Sequence, residues 1–106
     1  MERKKYDVRL AGRADRMLLA HTEFIARLSP AAARKLVSAF RDTVRRLADN
    51  PGMFPFADDF DVPGISSKTY RKCMFYGRYK TIFLIEGNQV FIDAIIDCRQ
   101  ENKDLY

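Results

Sequence analysis

Apolar and polar residues recur along this chain with two different periods, and the places where the period changes divide it. Tyr6, Val8 and Leu10 alternate with Asp7 and Arg9, the two-residue repeat of a half-buried strand. Gly12 marks a turn. The repeat then lengthens: Ala14, Met17, Leu18, His21, Phe24, Ile25 and Leu28 fall at spacings of three and four, one stripe of an amphipathic helix. Arg13, Arg16, Glu23 and Arg27 lie largely off the stripe. Ser29 and Pro30 restart the chain, because a serine hydroxyl caps a helix and a proline suits its first turn, where no amide is needed. A second stripe follows through Ala33, Leu36, Val37, Phe40, Val44, Leu47 and Ala48. Arg34, Lys35, Arg41, Asp42, Arg45 and Arg46 lie mostly opposite, and Asn50-Pro51-Gly52 stops the helix. Two stripes joined by so tight a link predict an antiparallel helical hairpin.

Residues 50–68 carry Pro51, Gly52, Pro55, Pro63 and Gly64, which forbid a long regular element, and Asp58, Asp59 and Asp61 make the stretch acidic. It reads first as a solvated connection and second as a flap that packs on a partner. The last third is β. Thr69–Phe75, Tyr79–Ile85 and Val90–Asp97 are rich in aromatic and β-branched residues, with turns at Gly77 and Glu86-Gly87-Asn88. Links this short require antiparallel pairing. Ile82 to Ile85 and Phe91 to Ile96 are apolar at nearly every position, as in central strands covered on part of both faces. The predicted order is β-α-α-β-β-β: an α+β fold of two layers, with a helical hairpin on one face of a four-stranded, mainly antiparallel sheet. No further helix is available for the second face, so that face is expected to stay partly open and to carry function.

The 106 residues suit a single domain, residues 1–106, with one core. A net charge of +5 favours anionic partners. The excess lies in residues 1–50, with 12 Lys/Arg against 6 Asp/Glu, while the remainder carries 7 against 8. No apolar run approaches the roughly 20 residues that span a bilayer, and Met1-Glu2-Arg3-Lys4-Lys5-Tyr6 lacks the apolar stretch of a signal peptide. A cytoplasmic protein with no membrane partner is therefore expected. Cys73 and Cys98 are too few for a disulfide framework. With one distant histidine they offer no zinc spacing, so neither metal nor other cofactor is expected. His21, on the apolar stripe, reads as a packed, hydrogen-bonded helix residue.

In this order the elements resemble the RelE/ParE toxin superfamily of type II toxin–antitoxin (plasmid-stabilisation) systems. Leu47-Ala48-Asp49-Asn50-Pro51 resembles the helix end common in the ParE-like branch. Tyr70-Arg71-Lys72 through Gly77-Arg78-Tyr79 resembles the family hairpin, and Ile95-Ile96-Asp97-Cys98-Arg99-Gln100 its last strand with a following arginine. The resemblance implies a growth-inhibiting toxin with a cognate antitoxin protein. Its target is either DNA gyrase, as in the ParE-like branch, or the ribosome and its mRNA, as in the RelE-like branch.

If the chain cleaves mRNA, the resemblance implies Arg71, Lys80, Arg99 and Tyr106 as the catalytic set, with Lys72 and Arg78 binding target or nucleic acid; if it acts on gyrase, Arg71, Lys72, Arg78, Lys80 and Arg99 are implied as contact residues. Metal-free cleavage needs a base for the 2′-hydroxyl, stabilisation of the extra charge on phosphorus and a proton for the leaving oxygen. Arginine does not deprotonate in proteins, which leaves Lys80 as the only basic residue able to accept the proton. Lys80 shares strand parity with Ile82 and Leu84, so it must sit near the strand start to reach water. Cys73 stands where the nuclease pattern has a second lysine. The plainer reading of the four cations within Tyr70–Thr81 is edge-strand charge that blocks aggregation. A different class of function is a non-toxic α+β module that binds nucleic acid or the ribosome.

Overall fold

The computed structural model describes residues 5–57 and 70–99. The elements run β1 (Asp7–Leu10), α1 (Gly12–Leu28), α2 (Pro30–Asp49), a 3-10 turn (Pro51–Met53), β2 (Arg71–Phe75), β3 (Tyr79–Glu86) and β4 (Gln89–Asp97). The predicted order therefore stands, with α1 beginning at Gly12 itself. Ala11 is extended, its amide bonds to the Ile92 carbonyl, and its own carbonyl accepts from the Asp15 amide, so strand passes into helix without a loop.

Ser29 joins the two helices alone. Its amide donates to the Ile25 carbonyl and closes α1, while its hydroxyl accepts from the Ala32 amide and opens α2. Asp15 in the first turn of α1 and Arg27 in the last complement the helix dipole. At the far end of α2 the Ala48 carbonyl accepts from the Lys5 and Tyr6 amides, so the chain entering β1 satisfies an orphan carbonyl of the helix.

The sheet order is β1-β4-β3-β2. β2–β3 and β3–β4 are antiparallel hairpins, and β1 lies parallel to β4 after the helical excursion. Tyr76 and Gly77 both have positive φ, 56° and 62°, the requirement of the tight turn whose twist matches a hairpin. The helix-facing side holds the main core: Leu36, Leu47, Tyr79, Phe83, Val90, Ile92 and Ile95 are fully buried.

β4 changes phase in its middle. Phe83 pairs with Ile92 but Ile82 pairs with Ala94, so Asp93 is an inserted bulge residue. Val90 and Ile92 face the helices before it; Ile95 and Asp97 pair with Thr81 and Tyr79 after it. A one-residue shift exchanges the faces of everything beyond it. The nearly continuous apolar run of β4 is two alternating patterns spliced at Asp93.

The second sheet face is partly open, as expected: Met74 on it is 48% exposed, while at its centre Ala57 packs with Ile82 and Ala94, beside Tyr70 and Ile96. Two other expectations need correction. Lys80, pointing to that face with Ile82, is only 4% exposed and does not reach water as its position near the strand start suggested. Nor is the start of the 50–68 connection a solvated loop. Phe54 and Ala57 are buried, Phe56 bridges Arg71, and backbone bonds join Ala57 to Tyr70 and Lys72 to Pro55. Proline-rich sequence excluded a helix here but said nothing against packing on a sheet edge. Residues 58–69 lie outside the described residues.

Candidate functional site

The end of the sheet at the β2–β3 turn gathers the densest set of polar and aromatic side chains among the described residues. Asp97 closes β4 opposite Tyr79, on the helix-facing side because of the bulge. Arg78 meets it with two parallel bonds, Nε to Oδ1 at 3.1 Å and Nη2 to Oδ2 at 2.8 Å. The Arg99 amide donates to the same Oδ1 at 3.0 Å. Such a two-pronged guanidinium–carboxylate pair fixes direction as well as distance. Asp97 is thus the anchor from which the chain leaves the sheet, and the Arg78 carbonyl completes it by accepting from the Cys98 amide.

Burial opposes ionisation of Asp97, but the bonds from Arg78 and from the Arg99 amide outweigh it and hold the carboxyl below its usual range. The bond to Asp97 raises Arg78 in turn, against the penalty of its own partial burial. Tyr79 moves up because it is buried, the nearby Arg78 charge offsetting part of the effect. Its hydroxyl and that of Thr81 have no hydrogen-bond partner among the described residues.

Aromatic rings surround this pair. The Arg78 guanidinium lies 5.4 Å from the Tyr79 ring centre and 5.8 Å from that of Phe24 on α1. Tyr76 stacks on Tyr79, and its hydroxyl donates to the Ala32 carbonyl at 3.4 Å, tying the turn to the start of α2. His21 packs 4.9 Å from Tyr79, with Nε2 2.7 Å from the Ile95 carbonyl, the packed and hydrogen-bonded role expected of it. Phe24 (49% exposed) and Leu28 (72%) leave an apolar margin beside the buried ion pair.

Arg71 sits at the opposite end of β2. Its Nη1 donates to the Phe54 carbonyl at 2.7 Å and the Gly52 carbonyl at 3.4 Å, and its guanidinium lies 4.0 Å over the Phe56 ring. Arg71 is therefore a clamp on the 52–56 segment. It stands four positions before Phe75, the partner of Tyr79, a span of about 13 Å. Lys80 and Lys72 face the other side of the sheet. The structure brings the Arg78 guanidinium and the Arg99 backbone amide together on Asp97. It does not bring Arg71, Lys80 and Arg99 to one point, and Tyr106 lies outside the described residues.

Asp97, Phe24 and Tyr76 were not apparent as site residues in the sequence. Asp97 carried one signal, an acid ending an apolar strand. Tyr76 carried another, a bulky residue in a turn position that favours asparagine or glycine. Cys73, in the place of a lysine in the nuclease pattern, is a buried thiol pushed up by that burial, with Arg46 partly opposing. No group of three or more potential metal ligands occurs among the described residues.

A helical hairpin on a mixed four-stranded sheet is the architecture of the RelE/ParE class of small toxins. A family model described as "ParE toxin of type II toxin-antitoxin system, parDE" matches residues 8–102, and the chain belongs to that family. A solved structure described as "Chromosomal ParDE TA system from P. aeruginosa" superposes with a TM-score of 0.68 at 19% identity, covering 88% of this chain and 96% of that one. At that identity the likeness is one of fold. No curated protein matches the sequence. Among the described residues, no helix is long and apolar enough to cross a membrane.

Proposed function

We propose that this chain is a growth-arresting toxin that acts on DNA gyrase without nuclease chemistry and is held inactive by a cognate antitoxin protein. One observation carries the choice of target. The two residues most needed for metal-free RNA cleavage on this fold, Arg71 and Lys80, face opposite sides of the sheet. Arg71 is bound to the chain's own carbonyls and Lys80 is nearly closed to solvent. A general base must come within hydrogen-bonding reach of the proton it takes. Membership of a family described by the parDE module supports the same reading.

In this reading Arg71 is scaffold and Lys80 an interior lysine. Arg78 and Arg99, with the exposed edge of Phe24 and Leu28, form the surface that meets a protein. Aromatic residues and arginine at a partly buried centre are the usual make-up of interface hot spots. Lys72 and Tyr106 are contacts rather than catalysts.

The test pairs a supercoiling assay with a reconstituted translation assay in which mRNA ends are mapped. Inhibited supercoiling with intact message is expected. Cleaved message with normal supercoiling would move the chain to the ribosome-dependent branch and restore the nuclease reading. Expression with and without a candidate antitoxin tests the broader statement: growth should stop without it and recover with it. Harmless expression of the folded protein would instead favour a non-toxic module that binds nucleic acid or the ribosome.

A further inference from the structure

The charge excess of the first half has no role in the site above, and the structure concentrates it on α2. That helix carries Arg34, Lys35, Arg41, Arg45 and Arg46 against Asp42 and Asp49, a net of +3; α1 carries Arg13, Arg16 and Arg27 against Asp15 and Glu23, a net of +1. Arg34, Arg41 and Arg45 stand seven and four residues apart, so they share one line of the helix within about 40° and extend about 16 Å along it. All three are exposed, as is Lys35 beside them. Arg45 is paired with Asp42. Arg34, Lys35 and Arg41 have neither an ion pair nor a hydrogen bond from their side chains to the described residues, and Arg46 lies over the Phe54 ring.

This is not how a merely solvated helix face is stabilised. Opposite charges four residues apart help a helix, and like charges at that spacing oppose it. On α1 Glu23 precedes Arg27 by four; on α2 Arg41 precedes Arg45 by four, and Asp42 offsets only the far end of the row, where it pairs with Arg45 and precedes Arg46 by four. The line also lacks the anchor of a protein interface. Among the described residues, the exposed large apolar side chains are all outside α2, those of the helical hairpin being Leu19, Phe24 and Leu28 on α1. A straight row of cations without an apolar centre matches a repeating polyanion better than a folded protein surface.

We propose that the outer line of α2, through Arg34, Lys35 and Arg41, is a second binding surface that takes the phosphate backbone of duplex DNA without reading its sequence. It shares no residue with the Arg78–Asp97 site and needs no gyrase.

The experiment uses the full chain and a fluorescent duplex of about 20 base pairs, titrated across a range of salt concentrations. Each lost phosphate contact reduces the slope of log affinity against log salt by about 0.9. The triple variant Arg34→Ala, Lys35→Ala, Arg41→Ala should flatten that slope by about 2.7 and weaken binding at moderate salt by about tenfold or more. The comparison variant Arg13→Ala, Arg16→Ala, Arg27→Ala removes the same charge and should flatten it by less than about 1. Equal effects from the two sets would reduce the surface to net charge and overturn the proposal. So would unchanged DNA binding in the α2 variant, or tighter binding of a poly-glutamate peptide than of the duplex, which would assign the row to an acidic protein. Glutamine replacements at the same three positions repeat the test should the alanine variant fold poorly. Supercoiling inhibition in the same variants reads the gyrase function independently, since duplex binding is measured without the enzyme.

Discussion

The cations of the sheet and those of α2 look alike in sequence and are opposites in structure. Arg71 and Arg78 each have their guanidinium engaged by the chain's own oxygens, Arg71 on the carbonyls of Gly52 and Phe54 and Arg78 on Asp97. Arg34, Lys35 and Arg41 reach outward from a helix whose other face supplies Leu36, Phe40 and Leu47 to the core. The first group holds the fold together. The second makes no side-chain ion pair or hydrogen bond with the described residues, and its charge is available to a partner. Sequence alone therefore does not separate a cation engaged by the chain from one left open to a partner.

The largest expected effect lies at the buried pair. Arg78→Met strands the Asp97 carboxylate, whose side chain is 3% exposed, and should cost about 3 kcal/mol in chemical denaturation. A loss below about 0.5 kcal/mol, the range of ordinary surface changes, would erase the contrast between the two groups. The same pair sets an acid limb. Asp97 titrates lower folded than unfolded, so in acid the unfolded chain binds more protons and stability falls as pH falls. The contribution is complete above the ordinary aspartate range, near about pH 4, and disappears as pH drops towards the folded value. Asp97→Asn should flatten stability below about pH 4, and an unchanged acid limb would contradict the assignment.

A smaller loss is expected at Arg71. Arg71→Ala removes two bonds to carbonyls and the stack on Phe56, worth about 1–2 kcal/mol together. The damage should be local, with faster amide exchange at Ala57 and Lys72, whose amides tie the 55–57 segment to β2. Lysine should not rescue it, because a point charge cannot reproduce the flat donor face that covers the ring. Uniform exchange across the sheet would argue against a clamp.

Tyr79→Phe should shift stability by less than about 1 kcal/mol in either direction, since the hydroxyl that is lost has no partner among the described residues. A large loss would reveal a bond to that hydroxyl. Smallest of all, Arg34→Ala or Arg41→Ala should change stability by less than about 0.5 kcal/mol. Such a variant should still fold and stop growth while binding duplex DNA more weakly. A clear stability loss there would place α2 with the structural cations.

Much of the fold was legible because each helix and hairpin depends on neighbours in sequence. The serine between the two apolar stripes, the turn glycines and the strand periods all report local geometry. The candidate site was less legible. The resemblance to known toxins singled out Arg71, Lys80 and Arg99 through their positions relative to strands. A position in a strand does not say which oxygen a guanidinium will find 17 residues away, as Arg71 finds that of Phe54. Nor does it say that Lys80 will be covered on the second face of the sheet.

Local pattern was enough to specify a helical hairpin followed by three antiparallel strands, and the family to which that order belongs. Folding in three dimensions added what no local pattern holds: β1 lies parallel to β4, Ala57 covers Ile82 on the second sheet face, and the bulge at Asp93 turns Asp97 towards Arg78. Periodicity records which residues share a face over a few positions. It does not record pairing between distant segments, nor a one-residue slip that leaves composition unchanged and reverses every side chain after it.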